Sequence, residues 1–245
     1  MKTEPEVEPP SICVVIPVLN EAQAIGKVIS AVPRGIVSEV IVVDGGSTDD
    51  TATVARNAGA RVVLELRRGY GRACASGVLN STAEIVIFLD GDGSDDPTEI
   101  IRIVEPILCG EADVVLGRRA NIQSGSLPFY AQAGNAFAAF FISLFWGQSV
   151  KDLPSFKAIR RRDLVALGMT EATYGWTIEL IVKAARQRLR LREVPIAYYA
   201  RDGGVSKVSG DLEASIRAAV AILSVLTRHT LGRGDVGVSG RAPLV

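Results

Sequence analysis

The sequence predicts an α/β protein whose mostly parallel central sheet carries helices on both faces. Short apolar, β-branched runs alternate in the first half of the chain with segments whose apolar residues recur at helical spacing. Each apolar run ends in a polar or glycine-rich turn. Strands that alternate with helices at this short spacing form parallel sheets through right-handed crossovers. The chain, with 48% hydrophobic and 22% charged residues, has an ordinary globular composition and is long enough for one large α/β domain or two small ones.

The first half contains five short runs that predict strands, and the unbroken apolar run at 85–89 predicts a strand buried on both faces. These strands are predicted at Ile12–Val18, 40–43, Arg61–Leu64, 85–89 and 114–116. Helices between and after them are predicted at 20–32, 47–59, 73–80 and 97–108. A capping box of Asn20 and Gln23 is expected to start the first helix, and a cap by Ser47 or Thr48 the second. Pro106 is expected to kink or shorten the fourth.

The second half changes character, because its segments are longer and less regularly spaced. We predict a helix at 129–147, a loop entering a strand at 152–160, a helix at Trp176–Arg186, a strand at 189–199, a flexible loop at 201–207 and a helix at 212–230. Pro195 lacks a backbone N–H and places its strand near an edge of the sheet.

The chain is predicted to form a single domain over residues 11–232, since no composition break or internal repeat divides it. Residues 1–10 are acidic and proline-rich without the basic and apolar regions of a signal peptide, so we expect a disordered arm. Residues 233–245 are glycine-rich and predict a flexible tail. No stretch has the uncharged apolar length of a transmembrane helix.

Charge is unevenly distributed, although the formal net charge of the chain is zero. Residues 1–125 carry 11 basic and 18 acidic side chains, while residues 126–245 carry 16 and 9. The three cysteines are few, widely spaced and set in apolar surroundings, which predicts neither disulfides nor a zinc site and favours a reducing cytoplasm. The arginines of 186–192 alternate with uncharged residues, which indicates a solvated strand edge and no nucleic-acid partner.

Two carboxylates follow the most apolar strand, in the sequence Asp90-Gly91-Asp92. Carboxylates at the C-terminal end of a buried strand lie where open α/β sheets bind ligands, and two of them can share a divalent cation that holds a diphosphate. The alternative is a plain Asp/Gly turn. Further polar clusters end the other strands, at Asn20 and Glu21, at Asp44 and in the arginine–glycine loop 67–72. Their predicted convergence on one sheet edge favours the ligand site.

Taken together, these segments resemble the inverting glycosyltransferases of family 2, which have the GT-A fold, and within them the branch related to dolichyl-phosphate mannosyltransferase. The similar segments are 15–21 (VIPVLNE), 42–49 (VVDGGSTD), 89–92 (LDGD), 116–119 (LGRR), 152–160 (DLPSFKAIR), Glu179, 193–196 (EVPI), Arg201 and 204–207 (GVSK). The resemblance covers roughly residues 11–210. It implies a nucleotide-sugar-binding half over 11–120 and an acceptor-side half over 121–232.

The resemblance also implies roles for individual residues. A pocket for the base and ribose of a UDP- or GDP-sugar would be lined by Pro17, Leu19, Asn20, Glu21 and Asp44, with Gly46 and Arg72 in the same donor site. Asp90 would contact the ribose or the metal, and Asp92 would hold Mg²⁺ or Mn²⁺ on the diphosphate. Gly93-Ser94-Asp95-Asp96 replaces the segment that supplies a glutamine in this branch, so the third metal ligand stays open.

The sequence leaves two chemical classes of acceptor open. A sugar or small-molecule hydroxyl needs a carboxylate base, for which Asp152 and Glu179 are the candidates. A polyprenyl phosphate is already anionic and needs cations, and Arg119, Arg201 and Lys207 lie where the family places phosphate contacts. In the second case the apolar helix 129–147 would rest on a membrane, although a buried helix or a dimer interface would have the same composition.

The sequence therefore predicts a cytoplasmic, metal-dependent glycosyltransferase, peripheral at the inner face of the membrane and acting on a polyprenyl phosphate. A homo-oligomer is compatible with the sequence. The alternatives are a soluble glycosyltransferase acting on a hydroxyl, a nucleotidyltransferase that would release pyrophosphate, and a nucleotide-sugar-binding protein without turnover.

Overall fold

A single sheet organises the protein, which is described here by a computed structural model covering residues 9–123, 129–202 and 242–245. Within these residues the sheet has seven strands. They are β1 (Ile12–Val18), β2 (Glu39–Asp44), β3 (Arg61–Leu64), β4 (Ile85–Phe88), β5 (Val114–Ile122), β6 (Lys157–Arg160) and β7 (Leu191–Tyr198). Their spatial order is β3-β2-β1-β4-β6-β5-β7. All the predicted strands are confirmed, and β5 extends beyond its predicted end because its C-terminal part pairs with β7.

The sheet is mostly parallel, as predicted. β1 pairs in parallel with β2 and with β4, β2 with β3, and β5 with β7, whereas β6 runs antiparallel between β4 and β5. β7 forms one edge, which confirms the inference from Pro195. The strand order reverses at β1, with β2 and β3 to one side and β4 to the other. Such a reversal opens a crevice at the carboxyl ends of β1 and β4, where ligands bind in α/β proteins.

Helices cover both faces of the sheet, which also confirms the prediction. They are α1 (Ile25–Ala31), α2 (Thr51–Asn57), α3 (Tyr70–Leu79), α4 (Ile100–Leu108), α5 (Phe129–Trp146), α6 (Arg161–Ala166) and α7 (Trp176–Arg186), with a 3₁₀ turn at Pro97–Glu99. Apolar residues of α1, α2 and α4 form one core cluster with the sheet. Residues of α3, α5, α6 and α7 form the other cluster. None of the helices in the described ranges has the combined length and apolarity needed to cross a membrane.

The predicted caps of the first two helices are wrong. α1 begins at Ile25 and α2 at Thr51, both later than predicted and both without a side-chain cap. Instead, the Asn20 side chain accepts from the backbone N–H of Thr48, and the Ser47 hydroxyl accepts from the backbone N–H of Asn20. These side chains therefore form tertiary hydrogen bonds and do not cap the helices. α4 continues past Pro106 to Leu108 and is not shortened by it.

Several predictions fall on residues outside the described ranges. They are most of the N-terminal arm 1–10, the loop beyond residue 202 including Lys207, the helix at 212–230 and most of the tail 233–245. Of the tail, residues 242–245 are described. There the backbone N–H of Leu244 donates to the carbonyl of Met169 at 2.7 Å, and Leu244 and Val245 pack against the core.

Candidate active site

The strand-end loops converge on one edge of the sheet. β2, β1 and β4 are parallel neighbours, so the residues that follow them, at 44–47, 19–21 and 89–92, lie side by side. In this group Pro17 pairs with Val43, and the side chain of Leu19 lies close to Gly45 in the neighbouring loop. The predicted convergence is therefore confirmed for the clusters after β1, β2 and β4.

Asp44 builds the turn that follows β2. One oxygen of its buried carboxylate, Oδ1, accepts bonds from the backbone N–H of Gly46 (3.1 Å), from that of Ser47 (2.8 Å) and from the Ser47 hydroxyl (2.6 Å). Gly46 has φ +87°, a conformation that favours glycine. All three bonds use Oδ1. Asp44 can therefore stabilise the turn through Oδ1 and also contact a ligand through Oδ2.

Asn20 joins this turn to the end of β1. Its Oδ1 accepts from the backbone N–H of Thr48 at 2.8 Å, and its own N–H donates to the Ser47 hydroxyl at 2.9 Å. The residue has φ +54°, in the left-handed region that asparagine tolerates better than most side chains. The two loops are thus held as one rigid wall at the crevice.

The turn after β4 concentrates negative charge. Oδ1 of Asp92 accepts from the backbone N–H and the hydroxyl of Ser94, at 2.9 and 2.6 Å. Burial, and then the charge of Asp92, raise the pKa of Asp90 to about 6. Burial, and then the charge of Asp90, raise the pKa of Asp95 to about 8. The three aspartates therefore repel one another in a poorly solvated turn.

Lys157 lies beneath this turn and is a residue that the sequence analysis did not single out. Its side chain is fully buried, and its ammonium group donates to the carbonyls of Pro154 (3.1 Å) and Ser155 (2.8 Å) and to the Thr177 hydroxyl (3.0 Å). Burial lowers the pKa of Lys157 to about 8, while the charge of Asp90 acts in the opposite direction. The signal that could have identified it was a lysine directly after Phe156, at the start of the short strand β6.

Arg119 and Asp152 form a buried ion pair beside the turn. The guanidinium Nε lies 2.8 Å from Asp152 Oδ2, and a second guanidinium nitrogen lies 2.5 Å from Oδ1. Asp152 also accepts from the backbone N–H groups of Arg119 and Leu153, at 3.0 and 2.8 Å. Burial alone would raise the pKa of Asp152, but the bonds and charge of Arg119 hold it below its usual value. Asp152 is consequently a weak base in this structure.

Glu179 is held in a different network. Its fully buried carboxylate accepts from the backbone N–H and hydroxyl of Thr170 and from the N–H of Glu171, and it pairs with Lys183 at 3.0 Å. Burial opposes ionisation, but these bonds and the charge of Lys183 keep the pKa of Glu179 below its usual value. These contacts fix the loop before α7, and none of them joins Glu179 to the aspartates after β4.

The arginine–glycine loop packs against this same loop before α7. The N–H of Arg72 donates to the carbonyl of Ala172 at 3.1 Å. A Cβ atom at Gly69 or Gly71 would lie 2.2 Å from the carbonyl oxygen of Ala172 or Glu171, so neither position has room for a side chain. Packing therefore accounts for both glycines, and the donor role of Arg72 stays a prediction.

Arg201 crosses the crevice between the ends of β1 and β4. Its guanidinium lies 2.8 Å from Oε1 of Glu21 and 3.6 Å from Oδ2 of Asp92. The structure thus brings Asp90, Asp92, Arg119 and Arg201 to one site.

Within the described part of the chain, no group of three or more His, Cys, Asp or Glu side chains could hold a metal ion. Asp90 and Asp92 could supply two carboxylate ligands, and phosphate oxygens and water would have to complete the coordination. The third protein ligand, which the sequence left open, is therefore not found in the described residues.

A crevice at a strand-order reversal, bordered here by paired carboxylates and arginines, is where open α/β proteins bind their ligands. Comparison with known proteins narrows this class. The Glycosyl transferase family 2 model matches residues 13–167. An uncharacterized glycosyltransferase of Mycobacterium tuberculosis is 38% identical over 89% of this chain and 98% of its own. The chain therefore belongs to glycosyltransferase family 2, and it is a glycosyltransferase.

Two further relatives carry more specific names. The dolichyl-phosphate hexose transferase of Haloferax volcanii is 34% identical over 78% of this chain and 84% of its own. Among solved structures, glucosyl-3-phosphoglycerate synthase from Mycobacterium tuberculosis in complex with UDP has a TM-score of 0.75 at 23% identity, over 96% of this chain and 91% of that one. The latter similarity confirms the GT-A fold.

We expect Asp95→Asn to raise the free energy of unfolding at pH 8 by as much as about 5 kcal/mol and to change it little at pH 4. The folded-state pKa of Asp95 lies near 8, above its unfolded value, so this carboxyl contributes stability at low pH that is lost as pH rises through that value. Urea unfolding of both proteins at the two pH values measures the effect. An equal change at pH 4 and pH 8 would contradict this electrostatic origin.

Proposed function

We propose that the chain transfers a hexose from a UDP- or GDP-sugar to a polyprenyl phosphate at a membrane surface, with inversion at the anomeric carbon and with Mg²⁺ or Mn²⁺ as cofactor. One observation carries the proposal. Both candidate bases, Asp152 and Glu179, are held in buried ion pairs with lowered pKa values, while Arg119 and Arg201 border the acidic turn. This arrangement suits an acceptor that is already an anion and needs no base.

The acidic turn fits a divalent cation. Asp90 and Asp92 offer hard oxygen ligands. Burial, and then the charge of Asp92, raise the pKa of Asp90, and a bound cation would relieve the repulsion between the two carboxylates. A solved structure of glucosyl-3-phosphoglycerate synthase contains Mn²⁺ and UDP-glucose, which supports the same cofactor here. When bound, the cation would neutralise charge on the nucleoside diphosphate leaving group.

The donor's base and ribose are assigned to the wall formed by the β1 and β2 loops. Its members are Pro17, Leu19, Asn20, Asp44 and Gly46. The bonds between Asn20 and the Ser47–Thr48 segment fix the shape of this pocket before the nucleotide arrives, which reduces the entropy lost on binding. Oδ2 of Asp44 would accept from the base or the ribose, and Arg72 would approach the diphosphate.

The acceptor phosphate is assigned to Arg119 and Arg201. A guanidinium matches phosphate oxygens with a rigid fork of donors and stays charged at every physiological pH. Asp152 would orient Arg119 through its two bonds, instead of removing a proton. An oxygen of the acceptor phosphate would attack the anomeric carbon from the face opposite the leaving diphosphate, and the glycosidic bond to the diphosphate would break with inversion.

The names of two relatives support a lipid phosphate as the acceptor. Besides the dolichyl-phosphate hexose transferase, dodecaprenyl-phosphate galacturonate synthase of Rhizobium johnstonii is 27% identical over 99% of this chain and 77% of its own. The soluble alternative is transfer to a hydroxyl, in which Asp152 would have to act as the base.

Helix α5 offers a surface for membrane contact. Its exposed apolar side chains recur at helical spacing, and they are Phe137, Phe140, Leu144 and Phe145, exposed by 49, 61, 60 and 48%. Ala138 and Ile142 on the other side of the helix are buried in the core. An exposed aromatic stripe of this kind is typical of helices that lie in a membrane interface.

We expect the double substitution Phe140→Ser and Leu144→Ser to weaken binding to phosphatidylethanolamine–phosphatidylglycerol vesicles by about tenfold or more, since each change removes apolar area from the interface. Co-sedimentation measures the loss. Leu79→Ser is the matched control, because Leu79 is 61% exposed but belongs to α3 and not to the apolar stripe of α5. Undiminished vesicle binding would contradict the membrane role, and a concurrent fall in oligomer size would identify a self-association surface instead.

The acceptor class is tested by comparing farnesyl phosphate with farnesol, which has the same chain but a hydroxyl in place of the phosphate. Each is incubated with Mn²⁺ and a panel of UDP- and GDP-hexoses, and release of nucleoside diphosphate is followed. The proposal expects release that depends on farnesyl phosphate and not on farnesol. Release with a small-molecule hydroxyl such as that of 3-phosphoglycerate, but not with farnesyl phosphate, would overturn it.

A further inference from the structure

Glu21 has an unusually fixed position at the end of β1. The residue is only 8% exposed, and its backbone N–H donates to the hydroxyl of Thr51 at 2.8 Å. Its carbonyl accepts from the N–H groups of Ala24 and Ile25, at 3.1 and 2.9 Å, where α1 begins. The main chain that carries this carboxylate is therefore anchored to two helices.

Arg201 is brought to Glu21 by the segment that follows β7. The N–H of Tyr199 donates to the carbonyl of Ser94, and the N–H of Asp202 to that of Asp92, both at 2.9 Å. These bonds attach the segment to the acidic turn and place the guanidinium between the ends of β1 and β4. The two partners are 180 residues apart in sequence, so only the folded chain brings them together.

The two carboxylates near Arg201 are not equivalent. Oε1 of Glu21 lies at hydrogen-bonding distance, 2.8 Å, whereas Oδ2 of Asp92 lies at 3.6 Å. A charge-assisted bond at the shorter distance fixes the orientation of a guanidinium, while the longer contact supplies attraction with little directional constraint. A guanidinium has five N–H donors in a fixed plane, so it can keep one carboxylate bond and still bind a phosphate oxygen.

We infer that Glu21 is a positioning residue that orients Arg201 towards the acceptor phosphate, and that it is not a contact of the donor's base or ribose. This inference rests on the proposed function, because it uses the acceptor phosphate as the ligand of Arg201. It reassigns Glu21 from the donor pocket, where family resemblance placed it, to the acceptor side of the crevice. The carboxylate acts through Arg201 and does not touch the reacting atoms.

The test compares Glu21→Gln, Arg201→Ala and the double variant, with farnesyl phosphate as the acceptor. Glu21→Gln keeps the size of the side chain but removes its charge, and we expect the KM for farnesyl phosphate to rise about tenfold, as for one lost charge-assisted bond. In the Arg201→Ala background, Glu21→Gln is expected to raise the KM for farnesyl phosphate by less than about twofold more, because Arg201→Ala has already removed the bond between the two side chains. Additive effects in the double variant would overturn the inference.

A second measurement does not depend on the acceptor. Calorimetric titration with UDP and with GDP, each with Mn²⁺, gives nucleotide affinity, which Glu21→Gln is expected to leave within about twofold. A loss of about tenfold or more would show that Glu21 contacts the donor and would overturn the inference even if wild-type protein does not use farnesyl phosphate. Failure of wild-type transfer with unchanged nucleotide affinity in the variant would count against the proposed acceptor instead.

Asp113→Asn is the matched control. The side chains of Asp113 and Arg190 form two bonds, of 3.0 and 2.7 Å, but Asp113 lies at the N-terminal end of β5, whereas the crevice lies at the carboxyl ends of β1 and β4. Neither the KM for farnesyl phosphate nor the nucleotide affinity is expected to change in this variant. A change equal to that of Glu21→Gln would indicate a general loss of structure and would contradict a specific role for Glu21.

Discussion

Replacing Asp92 by Asn is expected to reduce sugar transfer by about a thousandfold or more while leaving the fold intact. The amide keeps an oxygen that can accept the bonds from Ser94, so the turn is retained. The lost negative charge weakens cation binding at the diphosphate, and the leaving group is then no longer neutralised. Initial rates across a range of Mn²⁺ concentrations, with far-UV circular dichroism as the test of folding, measure the effect.

Asp96→Asn is the control for this substitution. Asp96 lies in the same loop, but its Oδ1 caps the 3₁₀ turn by accepting from the N–H and hydroxyl of Thr98, at 2.9 and 2.7 Å. Asparagine caps such turns about as well as aspartate, so we expect near-normal transfer. Full activity of Asp92→Asn without added metal would refute the assignment of this carboxylate.

The second large effect is expected from breaking the buried pair of Arg119 and Asp152. Arg119→Leu should lower the free energy of unfolding by about 3 kcal/mol, since it leaves the Asp152 carboxylate buried without its cation. Transfer should fall by about a hundredfold because a phosphate contact is lost. Urea unfolding and steady-state kinetics measure the two losses separately.

The double variant Arg119→Leu with Asp152→Asn distinguishes positioning from base catalysis. Removing the unpaired charge is expected to recover part of the stability, whereas transfer should stay low. For Asp152→Asn alone, we expect a rise in the KM for the acceptor without a change in the shape of the pH–rate profile. Loss of the acidic limb from that profile would show that Asp152 accepts a proton, and would favour a hydroxyl acceptor.

The strands could be predicted from sequence because their signal is local. Continuous apolar runs such as Ile85–Phe88 can be buried only within a sheet covered on both faces, and their spacing requires parallel crossovers. The helix caps could not be predicted in the same way. Asn20 and Ser47 are good capping residues, but each forms bonds to the other's loop, and an interaction between positions 27 or 28 residues apart leaves no local pattern.

The candidate site was predictable where its residues end strands, and less so where distant segments meet. Asp44, Asp90 and Asp92 follow apolar runs directly, so their convergence follows from the topology. The contact between Glu21 and Arg201, and the ammonium group of Lys157 beneath the aspartates, depend on how the second half folds back on the first. The sequence alone does not show which groups these charged side chains contact, because the contacts depend on the order of the strands in the sheet.

The central claim is that the acceptor atom is a phosphate oxygen, and ³¹P NMR of the reaction tests it most directly. Farnesyl phosphate is incubated with protein, Mn²⁺ and the nucleotide sugar that supports turnover. We predict that the phosphomonoester resonance is replaced by a phosphodiester resonance as nucleoside diphosphate accumulates. Sugar transfer that leaves the phosphomonoester resonance unchanged would contradict the claim.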